Sequence, residues 1–154
     1  MNETLTPQPA APPLAVTGLH VTGTLCRGPS ELTYRILGGP VRMAPPGEPL
    51  RTDELWRTTC FELFIQPEGG EGYFEFNFAP SGQWAAYRFD GYRSGMADLP
   101  LDPPRIEVAG EGVRIAMDLS ALPSAPWRVG ITAVIEEGDG TKSFWALAHP
   151  GERG

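Results

Sequence analysis

The sequence predicts an all-β domain: an antiparallel β-sandwich of jelly-roll or immunoglobulin-like form with about nine strands. Three observations carry this. Apolar and polar residues alternate over short runs, most cleanly between residues 55 and 95. Seventeen prolines and nineteen glycines punctuate those runs closely. No segment shows the helical period of about 3.6 residues. At 154 residues the chain is long enough for one domain with a self-supporting core.

The elements follow in order. Residues 1–13, MNETLTPQPAAPP, read as a disordered, proline-rich tail. The domain proper is expected over 14–150, with 151–154 as a second tail. Residues 14–23 alternate and form a first strand; 31–37 form a second, with Leu32, Tyr34 and Ile36 on one face. Residues 38–54 make a long loop with four prolines. Strands at 60–65, 73–78 and 84–89 come next, then a second long loop at 90–104. Residues 105–109 and 113–119 read as a hairpin over Gly110, Glu111 and Gly112, and 118–123 as a single helical turn. A last hairpin joins 128–136 to 143–148 across Glu137 to Thr141. Long loops in a compact domain are often functional, and both are placed at the rim of the central strands.

Those central strands divide into two faces. In 60–65 the apolar set is Phe61, Leu63 and Ile65, against Cys60, Glu62 and Phe64. In 73–78 it is Phe74, Phe76 and Phe78, against Tyr73, Glu75 and Asn77. A hairpin turning between them must align the apolar sets, because a slip of one residue buries carboxylates. Glu62 is therefore expected opposite Asn77, and Phe64 opposite Glu75. If Ser81-Gly82 is a two-residue turn, Ala85, Tyr87 and Phe89 join the core. Trp84, Ala86 and Arg88 then join the polar face, with Arg88 across from Glu75.

Composition narrows the function. The net charge of −7 and the pI near 4.8 argue against nonspecific nucleic-acid binding. No apolar run approaches the roughly 20 residues of a membrane helix, and no apolar h-region opens the chain. A cytoplasmic location is expected, with Cys26 and Cys60 as reduced thiols and the Asn2-Glu3-Thr4 sequon accidental. Two His and two Cys without short spacing make no zinc motif. His20 and His149 have no serine or cysteine nucleophile context.

The residues Leu55-Trp56, Thr59-Cys60-Phe61-Glu62-Leu63-Phe64, Glu75-Phe76-Asn77-Phe78-Ala79-Pro80-Ser81-Gly82-Gln83-Trp84, Phe89-Asp90-Gly91-Tyr92-Arg93 and Phe144-Trp145-Ala146-Leu147-Ala148-His149-Pro150 resemble bacterial DOMON-like domains. The resemblance spans roughly 14–150, and the Glu, Asn-x-x-Pro-Ser-Gly and Trp order is its most specific part. The wider superfamily is similar to family-nine carbohydrate-binding modules and to the cytochrome domain of cellobiose dehydrogenase. It implies a β-sandwich that binds a sugar or a b-type haem against one sheet. Relatives continue after the His-Pro with a Pro-Asp-Phe-His-like segment, where this chain reads Gly151-Glu152-Arg153-Gly154.

Sugar binding needs an aromatic platform and planar polar groups that bridge hydroxyls. Trp84, Phe64 or Tyr73 supply the first; Glu62, Asn77, Glu75 and Arg88 supply the second. The plainer alternative is that Glu75 and Arg88 form a cross-strand ion pair and that Trp84 packs under a loop. Relatives that bind haem use a Met and a His or Lys, so the resemblance makes Met96 and His149 candidate axial ligands, with His20 and Met43 behind them. A glycosidase would use Glu62 and Glu75 as diagonal neighbours, but Arg88 and Asn77 are expected to keep both ionised, and a general acid needs a raised pKa.

The sequence therefore points to a noncatalytic module that binds a carbohydrate or related polar small molecule, without nucleic acid, membrane or metal. A haem-binding or electron-transfer domain and a protein-interaction module are the alternatives. In the cytoplasm a nucleotide sugar or wall precursor is the natural ligand. The sequence leaves the oligomeric state open.

Overall fold

A computed structural model describes residues 1–147. The strands are β1 (Asn2–Pro7), β2 (Val16–Thr24), β3 (Pro29–Gly38), β4 (Cys60–Pro67), β5 (Tyr73–Phe78), β6 (Trp84–Phe89), β7 (Ala97–Asp98), β8 (Arg105–Ala109), β9 (Gly112–Asp118), β10 (Trp127–Glu136) and β11 (Lys142–Ala146). They form one antiparallel sheet of eleven strands in the order β7-β6-β5-β4-β10-β11-β1-β2-β3-β9-β8. Among the described residues the one helical element is a 3-10 turn at Leu55–Arg57. The helical turn expected at 118–123 is a hydrogen-bonded turn, in which Leu122 N donates to Leu119 O. No helix of the described residues is long and apolar enough to cross a membrane.

Two strands were not foreseen, the two-residue β7 and β1. The segment expected to be a tail contains β1, which joins the halves of the sheet. Asn2 to Leu5 pair with β2, and Thr6 and Pro7 pair with β11. Leu5 is its single buried apolar side chain, so composition alone gave no alternation to detect. The connector after it is held by Glu137. The Leu14 and Ala15 amides donate to the two oxygens of this buried carboxylate at 2.8 and 2.7 Å.

The sheet curls until its two halves share one core. Leu19, Val21, Leu32, Tyr34, Ile36 and Ile115 from one half meet Phe61, Leu63, Ile65, Phe76, Phe78 and Ile131 from the other. These are the apolar sets that period-two alternation selects. Tyr34 shows how tightly the halves join. Its ring centroid lies 4.7 Å from that of Phe61, and its hydroxyl donates to the Glu62 carbonyl at 2.8 Å. Bonding that hydroxyl removes the cost of burying it.

The β4–β5 register is the expected one, Glu62 opposite Asn77 and Phe64 opposite Glu75. The β5–β6 register is not. Phe78 pairs with Trp84, Asn77 with Ala85, Glu75 with Tyr87 and Phe74 with Arg88. The cause is the turn. Gly82 N donates to Ala79 O at 3.0 Å, and Ala79 N donates to Gln83 O at 2.9 Å. Pro80, Ser81 and Gly82 thus make a three-residue loop, with Gly82 at φ +96°, a conformation open to glycine. One residue more than a two-residue turn reverses every side chain of β6.

Candidate functional site

The outer face of the larger half-sheet gathers a compact set of polar groups. Glu62 stands on β4 between Asn77 on β5 and Thr132 on β10. Thr132 Oγ1 donates to Glu62 Oε1 at 2.8 Å, and Asn77 Nδ2 donates to Glu75 Oε2 at 3.1 Å. Tyr87 lies opposite Glu75, and its hydroxyl donates to Asp53 Oδ1, which ties the loop before the 3-10 turn down onto the sheet. At the same end Leu55 packs with Cys60 and Ala79 and closes the face with an apolar plug.

Beside this polar row the face opens. Phe64, Tyr73, Tyr92, Gly130 and Arg128 line a groove of about 610 Å³. Tyr73 stacks on Phe89 with centroids 4.6 Å apart, and its hydroxyl accepts from the Arg93 amide. Tyr92 is 79% exposed on the groove's rim. Gly130 lies opposite Phe64 and leaves that wall open. A groove of this size lined by aromatic residues beside a few converging polar groups is the usual form of a small-molecule site.

The electrostatics follow from burial. Glu62 and Glu75 are half-buried. Burial pushes the Glu62 carboxyl above its ordinary range; the Thr132 hydrogen bond opposes this and the Glu75 charge adds to it. Burial raises Glu75 too, opposed by Asn77. Burial and the bond to Asp53 raise Tyr87, so this phenol is neutral at physiological pH. Asn77 is 1% exposed, and its Oδ1 has no hydrogen-bond partner.

Of the residues singled out in the sequence, Glu62, Phe64, Glu75 and Asn77 share this face. Trp84 and Arg88 do not. Trp84 is 4% exposed in the core and packs under the 38–54 loop, with its Nε1 donating to Pro49 O. Arg88 is exposed opposite Phe74, so it pairs with no carboxylate of the face. The expectation that Arg88 helps to keep Glu62 and Glu75 ionised therefore falls. Ala85 and Tyr87 occupy the places given to Trp84 and Arg88.

Met96 is exposed in the second long loop, and His149 lies outside the described residues. His20 sits on the smaller half, its Nδ1 3.1 Å from Thr4 Oγ1, and Met43 packs against the core. Cys26 is exposed and Cys60 buried, both free. No group of three or more His, Cys, Asp or Glu among the described residues is placed to hold a metal ion. Sequence reasoning missed Thr132, Tyr87 and Asp53. Their places depend on the β4–β10 pairing, the β6 turn and a loop contact, none of them local.

A larger groove, about 720 Å³, opens elsewhere between Leu25, Cys26 and Arg27 on one side and Pro123 and Trp127 on the other. Its main polar groups are already engaged: Arg27 Nε donates to Leu122 O, and Cys26 Sγ to Pro29 O. The face around Glu62 is the stronger candidate because Asn77 is not engaged in full.

No family model and no curated protein matches the chain. Among solved structures it is similar to a putative carbohydrate-binding protein from Bacteroides uniformis, with a TM-score of 0.70 and 14% identity, over 100% of this chain and 79% of that one. At that identity the likeness is one of fold: an all-β chain built as a curled antiparallel sheet.

Proposed function

We propose that this chain is a noncatalytic binding module of the DOMON-like, sandwich-forming class. It takes a small carbohydrate or related polar ligand on the outer face of its larger half-sheet. The observation that carries the reading is Asn77. A buried amide oxygen without a partner costs about 1–3 kcal/mol and calls for an explanation. Here it lies between two half-buried carboxylates, one row from an aromatic-lined groove. A ligand hydroxyl or amine that bonds it removes the cost. Glu62, Glu75 and Asn77 supply planar acceptors, and Phe64 and Tyr73 supply stacking surface. The carbohydrate-binding description of the Bacteroides neighbour supports the same reading through shared fold. Each carboxyl is engaged by a neighbouring side chain, Thr132 or Asn77, and we assign both to recognition rather than to acid–base chemistry.

The test is Asn77→Leu, a swap of similar volume. If the amide serves a ligand, the melting temperature of the free protein moves by no more than about 4 °C, since ~1 kcal/mol is worth ~2–4 °C at this size. Stabilisation by sugars in a thermal-shift panel disappears. A variant that melts well below wild type and keeps its sugar response would make Asn77 structural and the site assignment wrong.

A further inference from the structure

We infer that the ligand of this face carries an ammonium group, so that on the carbohydrate reading above it is an amino sugar. The polar row holds unused hydrogen-bonding capacity. A carboxylate accepts about four hydrogen bonds. Glu62 receives one from a side chain, through Thr132, and Glu75 one, through Asn77. Asn77 gives one of its two N–H groups to Glu75, while its buried oxygen is unpartnered. Unused acceptors therefore outnumber unused donors on the floor. The hydroxyls of Thr132 and Tyr87 have their protons committed, to Glu62 and to Asp53.

Charge points the same way. Among the described residues no arginine or lysine forms an ion pair with Glu62 or Glu75, and Asp53 adds a third carboxylate behind Tyr87. Arg128, exposed, lines the neighbouring groove together with Glu71, and the Arg93 guanidinium sits 5.1 Å from the Tyr92 ring centre; neither forms an ion pair with Glu62 or Glu75. A neutral sugar can donate to the floor but leaves two adjacent, half-buried carboxylates repelling one another. An anionic or nucleotide-linked sugar adds to that repulsion. An ammonium relieves it, donates three hydrogen bonds, and is itself held by the aromatic faces of Phe64 and Tyr73. Burial already disfavours the ionised carboxyls, so a cation recovers more here than at an open surface.

The experiment is calorimetric titration of the full chain at neutral pH with D-glucosamine, D-glucose, N-acetyl-D-glucosamine, D-glucuronate and, as a non-sugar ammonium, choline. Glucosamine is expected to bind about tenfold or more tighter than glucose or the N-acetyl sugar, with glucuronate weakest. Glu62→Gln together with Glu75→Gln should reduce that preference to less than about twofold while the protein stays folded by circular dichroism. Glucose or glucuronate binding as well as glucosamine would overturn the ammonium inference and leave the carbohydrate reading standing. Choline binding without any sugar would uphold the ammonium and overturn the carbohydrate. Silence from all five at millimolar concentration would overturn both.

Discussion

Replacing Trp84 separates the two possible faces of β6 in one experiment. On the ligand face, its loss would cost affinity and little stability. The structure instead buries its indole at 4% exposure. Nε1 donates to Pro49 O at 3.2 Å, and the Arg51 guanidinium lies 4.3 Å from the ring centre. Truncating a buried Trp to Ala costs about 3–5 kcal/mol, which at about 2–4 °C per kcal/mol lowers the melting temperature by roughly 6–20 °C. Trp84→Phe keeps most of the apolar area and loses the hydrogen bond and some volume, about 1–2 kcal/mol or roughly 2–8 °C. Thermal melts by circular dichroism measure both, and sugar titration of the Phe variant, which stays folded, measures binding. The reasoning is refuted if Trp84→Ala melts within about 2 °C of wild type while Trp84→Phe loses sugar binding. That result would put the indole on the outer face and make the β6 register wrong.

Three further outcomes follow from named contacts. The folded-state pKa of Glu62 is raised by burial, so its favourable share of stability is present below the ordinary carboxyl range and lost as pH rises through the folded value. Glu62→Gln should thus gain melting temperature relative to wild type between about pH 4 and pH 8; a flat or falling difference contradicts the burial argument. Glu137→Ala strands the amides of Leu14 and Ala15 and should cost about 2–4 kcal/mol, with faster hydrogen exchange at those two amides. Unchanged exchange would show that the clamp is not what holds the connector. A thiol reagent should modify Cys26 quickly and Cys60 only after denaturation, because the first is exposed and the second is fully buried; two fast thiols would mean that the 60–67 strand opens readily.

What the sequence disclosed depended on how far each decision was local. Phe61, Leu63 and Ile65 against Phe74, Phe76 and Phe78 leave one register that buries no carboxylate, so Glu62 opposite Asn77 was legible without coordinates. Thr132 was not, because its pairing with Glu62 joins β4 to a strand about 70 residues away, and the alternation in 128–136 says nothing of its neighbour. β1 was hidden because a strand that crosses between half-sheets needs only Leu5 inside, too little to outweigh the prolines of the 1–13 segment. The β6 faces turned on the length of one loop, where Ser81-Gly82 and Pro80-Ser81-Gly82 are both acceptable turns.

That loop decides more than geometry. With a two-residue turn, Arg88 would face Glu75 and Trp84 would lie near Asn77, giving a floor that is neutralised and walled by an indole. The three-residue turn, with Gly82 at φ +96°, replaces them with Tyr87 and Ala85. It removes the floor's cation, commits the new hydroxyl to Asp53 and leaves only a methyl group beside Asn77. Among the described residues the carboxylates then have no arginine partner, and the buried Asn77 oxygen is left without a hydrogen bond. If the ammonium ligand proposed above binds this face, turn chemistry at Gly82 selects it as much as the carboxylates do.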